Sequence, residues 1–255
     1  MKVRILGCSG GIGGRHLRTT SILVDNDILI DCGTGVGDLS LVELAQVDHV
    51  FLSHGHMDHI ACLPLMIDTI SEIRKQPLTI HALPETLEML CAHIFNWVVW
   101  PDFRGIPSPA NPCMQFAPLT LGQSFELQGR RVVPLPANHT VPAVAFQIDS
   151  GTASLVFSGD TGPCPALWEA VNRIDNLKTL IVETAFSNSE RRIAEKALHF
   201  CPDMLKEELQ RLQLRPEVFI THLKPGQIEA TMEEIENCIG DFNPRMLQNN
   251  QVFDL

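Results

Sequence analysis

The stretch SHGHMDHI, residues 53–60, sets three histidines and one aspartate into the six positions from His54 to His59, directly after the apolar run VDHVFL at 47–52. A run of that length ending in polar residues reads as a buried strand. The segment that follows, IACLPLMIDTISEIRK at 60–75, carries apolar residues at helical spacing and a basic end, so the cluster sits where a strand hands over to a helix. One histidine at such a junction is commonly a cap or a partner for a loop carbonyl. Three histidines with an aspartate are a set of neutral imidazoles and a carboxylate, the donor types of a metal site.

Outward from this stretch, KVRILG (2–7), TSILVD (20–25) and DILIDCG (27–33) read as short strands, the last two joined by a hairpin at Asn26-Asp27. LTIHAL (78–83) is a further strand, and PETLEMLCAHIFNWVVW (84–100) predicts a helix with proline in its first turn. Residues 101–118 hold five prolines and two phenylalanines, which predicts an ordered, irregular loop serving as a lid or an interface. The second half repeats the strand-rich beginning, with SFELQGRRVVPLPANH (124–139) and AVAFQIDSGTASLVFSGD (143–160). A helix is expected near 165–174, a strand at 178–184, helices over 189–198 and 203–212, a strand at 217–222, a helix at 231–239 and a closing strand at 251–255. Strands followed by helices thus occur twice, which suits an α/β fold of two stacked sheets covered by helices on both outer faces, a four-layer αββα sandwich. With 255 residues, we expect one domain spanning 1–255.

The net charge of −11 repels polyanions, so DNA and extended RNA are poor partners, although a bound cation can still hold a small anion. No apolar run reaches the roughly 18 residues of a membrane span, and the first residues lack a signal peptide's apolar core. The expectation is a cytoplasmic protein without membrane contact. Its eight cysteines show no C-x-x-C pair and read as reduced thiols.

Three more residues of ligand type close apolar β runs: His139 in PLPANHTVP, Asp160 in LVFSGDTG and His222 in VFITHLKP. With the first cluster they make seven donors, enough for two divalent cations sharing one carboxylate. The H-x-H-x-D-H run with the later His, Asp and His resembles the metallo-β-lactamase superfamily over nearly the entire chain. That resemblance implies one cation on His54, His56 and His139, a second on Asp58, His59 and His222, and Asp160 between them. It also implies that Asp31, in LIDCGTG, steadies a histidine ligand. Zinc suits such a His-rich set, and manganese or iron fits the same donors.

Within that superfamily, GCSGGIGGRHLRTTSILVDNDILIDCGTG, SHGHMDHI, VETAFSN, ALHFCP and THLKP are similar to the class II 3',5'-cyclic-nucleotide phosphodiesterases of the ribonuclease Z-like branch. Asp160, where true β-lactamases commonly carry Cys, points the same way. By this resemblance His199, in ALHFCP, acts beside the cations as a proton donor or by stabilising phosphoryl charge, Glu183 orients it, and Asp58 belongs to the catalytic set. Thr20 and Ser21, with Arg15, Arg18 and Thr19, are candidates for the substrate pocket, and Lys224 for a phosphate contact. The glycines of GCSGGIGG read either as a phosphate cradle or as turn chemistry. Trp97, Trp100 and Phe103 read as core, as a homodimer interface or as a platform for a nucleobase.

The implied chemistry is hydrolysis of a small cyclic nucleotide to its 5'-monophosphate. Three alternatives use the same residues: tRNA 3'-end processing, thioester or lactone hydrolysis, and a protein that binds a cyclic nucleotide without turning it over.

Overall fold

A computed structural model describes residues 1–14 and 16–255; Arg15, one of the loop candidates, lies outside the described residues. The chain opens with β1 (Lys2–Gly7), β2 (Ser21–Val24) and β3 (Ile28–Ile30), an antiparallel meander whose second turn passes through Asp25 at φ +49°, a left-handed position that Asp tolerates. Then follow α1 (Leu41–Gln46), β4 (His49–Phe51), α2 (Met57–Ile60), α3 (Leu63–Ile70), β5 (Leu78–Ala82) and α4 (Pro84–His93). A small hairpin of β6 (Pro107–Ser108) and β7 (Asn111–Pro112) leads to β8 (Met114–Pro118). The second half runs β9 (Phe125–Leu127), β10 (Arg130–Pro136), β11 (Val144–Asp149), β12 (Ser154–Phe157), α5 (Pro165–Val171), β13 (Leu177–Glu183), α6 (Arg191–Ala197), α7 (Pro202–Leu209), β14 (Glu217–Thr221), α8 (Ile228–Ile239), β15 (Arg245–Met246) and β16 (Val252–Asp254).

Among the described residues the long strands form two seven-stranded sheets, ordered β16-β1-β2-β3-β4-β5-β8 and β15-β14-β13-β12-β11-β10-β9. Each begins as an antiparallel meander and continues in parallel, from β3 to β8 in one and from β12 to β15 in the other.

Side-chain alternation builds the layers. Ile5, Ile22, Ile30 and Phe51 of the first sheet meet Val132, Phe146, Phe157, Ile181 and Phe219 of the second in a central core. The opposite parity, Leu6, Leu23, Leu29, Val50 and Ile80, packs under Leu63, Met66, Ile67 and Ile70 of α3 and Leu87 and Leu90 of α4. Val156, Leu180, Val182 and Ile220 do the same beneath α5, α7 and α8. Strands buried on both faces need apolar residues in both parities, which is why they read as continuous apolar runs. The result is the four-layer αββα order.

Three boundaries differ from expectation. The helix expected over 60–75 is shorter: α2 ends at Ile60, and α3 runs over Leu63–Ile70, with Pro64 in its first turn lacking the N–H that would continue the preceding turn. The helix from Pro84 ends at His93 and not at Trp100: Asn96 Oδ1 accepts from the N–H groups of Val98 and Val99, and Trp97 adopts φ +64°. Residues 101–118 are partly regular, since β8 pairs in parallel with β5 along the sheet edge.

Candidate metal centre

Both sheets turn the carboxyl ends of their parallel strands toward one cleft, the place where open α/β sheets bind ligands. Asp31 follows β3, the cluster His54–His59 follows β4, Asp160 follows β12, Glu183 ends β13 and His222 follows β14. His139 arrives from the end of β10. Asp31 and His222 both leave their strands with positive φ, +57° and +63°. Non-glycine residues in that region cost of order 1 kcal/mol each and are held there by their surroundings.

Two groups of donors meet. His54, His56 and His139 each offer a ligand atom within 4.8 Å of the others, and so do Asp58, His59, Asp160 and His222. Asp160 lies between them, its carboxylate 3.7 Å from His54 Nε2, 3.3 Å from His59 Nε2 and 3.2 Å from His222 Nδ1. Among the described residues, those same three ring nitrogens are buried without a hydrogen-bond partner. Orphaned buried nitrogens are costly and rare, and here they face one shared carboxylate. Divalent cations on the two donor groups would satisfy them, so the donor set fits metal.

The surrounding residues fix three of the rings, those of His59, His54 and His139. Asp31 Oδ2 lies 2.7 Å from His59 Nδ1, while its two oxygens also accept the Ser53 N–H and hydroxyl, both at 2.7 Å. Ser53 Oγ reaches His54 Nδ1 at 3.0 Å, and the Leu198 carbonyl reaches His139 Nδ1 at 3.0 Å. With Nδ1 engaged, Nε2 faces the cleft.

Protonation follows the surroundings. Burial pushes His54 well below the ordinary histidine range, and burial also lowers His56, His139 and His222, leaving neutral rings with free lone pairs. Burial pulls His59 down too, but the carboxylates of Asp160 and Asp31 outweigh it and hold the ring well above that range. Burial pushes Asp160 up, and His222 with His59 reverse this, keeping it well below the usual carboxylate range. Positive charge is thus favoured at this spot, and a dication beside His59 Nε2 would replace its proton.

His199 and Glu183 also stand at the cleft. Glu183, fully buried, puts Oε1 2.8 Å from His199 Nδ1 and accepts the Thr161 N–H at 3.0 Å. Burial lowers His199, but the Glu183 carboxylate more than offsets this, so the ring's pKa is raised. Lys224 rests its ammonium 4.5 Å from the centre of the Phe186 ring, which meets His199 edge-on.

Other candidates lie elsewhere. Thr20 and Ser21 are buried, and Ser21 donates its hydroxyl to the Thr20 carbonyl at 2.7 Å. Thr19 Oγ1 accepts the Thr34 N–H, and Arg18 pairs with Asp38. Of GCSGGIGG, Gly10 lies so close to His222 that a Cβ there would meet its ring at 2.9 Å and its carbonyl oxygen closer still, which favours tight packing over a phosphate cradle. Phe103 packs in the outer core with Phe95, while Trp97 is exposed. Two residues that position rings went unnoticed in the sequence: Ser53, marked only by adjoining His54, and Leu198, whose contribution is a backbone carbonyl and carries no side-chain signal.

Residues 26–223 match the beta-lactamase superfamily domain. The chain belongs to the beta-lactamase superfamily. Within the superfamily it is 29% identical to a Yersinia pestis protein named a probable 3',5'-cyclic-nucleotide phosphodiesterase, over 88% of this chain and 78% of that one. It is 25% identical to a ribonuclease Z of Pyrobaculum calidifontis, over 74% of each chain. The crystal structure of the metallo-beta-lactamase fold protein YhfI from Bacillus subtilis superposes with a TM-score of 0.77 at 19% identity, over 99% of this chain and 98% of that one, which shows the shared fold. Superfamily membership and the His/Asp cluster together make this a metal-dependent hydrolase fold. Among the described residues no helix is long and apolar enough to cross a membrane.

Proposed function

We propose that the protein is a dinuclear metal-dependent phosphodiesterase that hydrolyses 3',5'-cyclic nucleotides to 5'-nucleotides. The observation that carries this reading is the arrangement of two donor groups about Asp160 with the His199–Glu183 pair at the same cleft. His54, His56 and His139 would hold one cation, Asp58, His59 and His222 the other, and Asp160 would serve both; zinc suits this donor set. Bound cations supply positive charge to phosphoryl oxygens and make a water acidic enough to attack near neutral pH.

The remaining work falls to the chain. Hydrolysis joins the water oxygen to phosphorus and breaks the bond from phosphorus to the 3'-oxygen, which needs a proton as it leaves. Glu183 holds the Nδ1 proton of His199, so that Nε2 faces the cleft and delivers its proton to the departing oxygen. Lys224, parked over Phe186 beside His199, supplies a mobile cation for the phosphate. The Yersinia relative's name supports a cyclic nucleotide as substrate.

The ribonuclease Z relative favours a second reading, cleavage of precursor tRNA. The net charge of −11 weighs against it. A substrate panel run on protein of measured metal content separates the two: cyclic AMP, cyclic GMP, a generic phosphodiester, precursor tRNA, a thioester and a lactone. Release of 5'-nucleotides from the cyclic substrates is expected. Turnover of tRNA alone, or of thioester or lactone alone, overturns the proposal, as does tight binding of cyclic nucleotide without hydrolysis over hours.

A further inference from the structure

His199 is held in the same way as the rings that face it. Its Nδ1 lies 2.8 Å from Glu183 Oε1, as His59 Nδ1 lies 2.7 Å from Asp31 and His139 Nδ1 lies 3.0 Å from the Leu198 carbonyl. A carboxylate on Nδ1 makes the Nε2 lone pair of a neutral ring more basic, which is how proteins prepare a histidine to bind metal. The His199 ring also packs among the donor histidines, 4.9 Å from the His139 ring and 5.2 Å from that of His222.

The spacing matches. One donor atom each of His139, Asp160 and His199 lies within 4.8 Å of the others, as in the two groups described above. These three do not make an independent third site. His139 has Nδ1 committed to Leu198, so its Nε2 is the single donor it has, and one lone pair serves one cation. His199 therefore adds a donor to the cation of His54, His56 and His139.

We propose that His199 is a detachable ligand of that cation: its Nε2 coordinates when no substrate is present and is displaced by an oxyanion, the phosphoryl group of the substrate or free phosphate. This rests on the metal-dependent reading above. A catalytic metal needs an open coordination position, and His199 closes that position until an oxyanion claims it. Displacement then frees the same nitrogen to carry a proton. Binding of phosphate and retention of metal by His199 are consequently in competition.

The test uses the full chain loaded with cobalt(II), comparing the natural protein with His199→Ala and with His199→Gln, which keeps most of the volume but lacks an imidazole. Visible spectra, cobalt stoichiometry and chelator competition are measured with and without inorganic phosphate. Without phosphate, both variants should lose about 10-fold in affinity for one of the two ions and show a spectrum different from that of the natural protein. Saturating phosphate should bring the three spectra together. Equal affinities and identical spectra without phosphate, at two ions per chain, overturn the role of His199 and leave the metal centre standing. Failure of all three proteins to retain cobalt overturns the metal-dependent reading and this proposal with it.

Discussion

His139 gives its Nδ1 proton to the carbonyl of Leu198 at 3.0 Å, which ties a strand-end histidine of the second sheet to the joint between α6 and α7. Leu198 sits at φ +52°, its N–H bonded to the Ala194 carbonyl, and the next residue is His199. One left-handed residue therefore sets the position of two rings.

Substitution at this joint should separate backbone from side chain. Leu198→Gly accepts the positive φ without strain but frees the unfolded chain, so stability should change by less than about 1 kcal/mol. Leu198→Pro forbids the conformation and removes the bond to Ala194, and should cost about 3 kcal/mol or more. Urea melts of the two variants check this.

Asp31 carries the next prediction. It fixes His59 and Ser53 from full burial, so Asp31→Asn should weaken metal binding about 10- to 100-fold. Competition against a chelator of known affinity reads the loss directly. Unchanged affinity would mean that His59 needs no help to face the cleft.

Asp160→Ala removes the carboxylate shared by the two donor groups. Metal content should fall below two ions per chain, and phosphodiester turnover should drop by about 100-fold or more. Full activity in this variant would exclude the proposed centre.

Gly10→Ala places a methyl group against the ring and carbonyl of His222. Both are packed in place, so a cost of about 1–3 kcal/mol is expected, with weaker metal retention. Thermal melts and metal analysis on the same sample test both parts.

Acid sensitivity has a source distant from the cleft. His81 is buried, stacked on Phe51 at 4.1 Å and 3.0 Å from His49 Nδ1; burial, then His49, pushes it down to about 4 from the ordinary 6.5. Between those two values the unfolded chain takes up a proton that the folded one refuses, so stability is complete above pH 6.5 and falls as pH drops toward 4. His81 alone should contribute about 3 kcal/mol to this loss. In chelated protein, His81→Phe should show a shallower decline between pH 7 and pH 4.5 than the natural chain. Parallel curves would assign the acid sensitivity to other groups.

Layer order was legible because central strands such as β2 and β12 are buried on both faces and so appear as apolar runs, as in SILV and SLVF. The histidines and aspartates of the cleft were legible because they terminate such runs. What escaped the sequence depends on contacts distant along the chain. The burial of Thr20 and Ser21 is such a case, whereas the pairing of Glu183 with His199, which the family resemblance implies, is brought about by α6 and its left-handed end. The early end of α4 is set by one asparagine side chain turning back on the backbone, a local competition that helical spacing does not register.

The donors of the cleft come from both sheets, His54, His56, Asp58 and His59 from one and His139, Asp160 and His222 from the other. A half-assembled chain therefore lacks part of each donor group, His139 of the first and Asp160 with His222 of the second. An ion held by donors of both sheets would rivet the two halves of the sandwich together, so that its retention would report that both have closed in register.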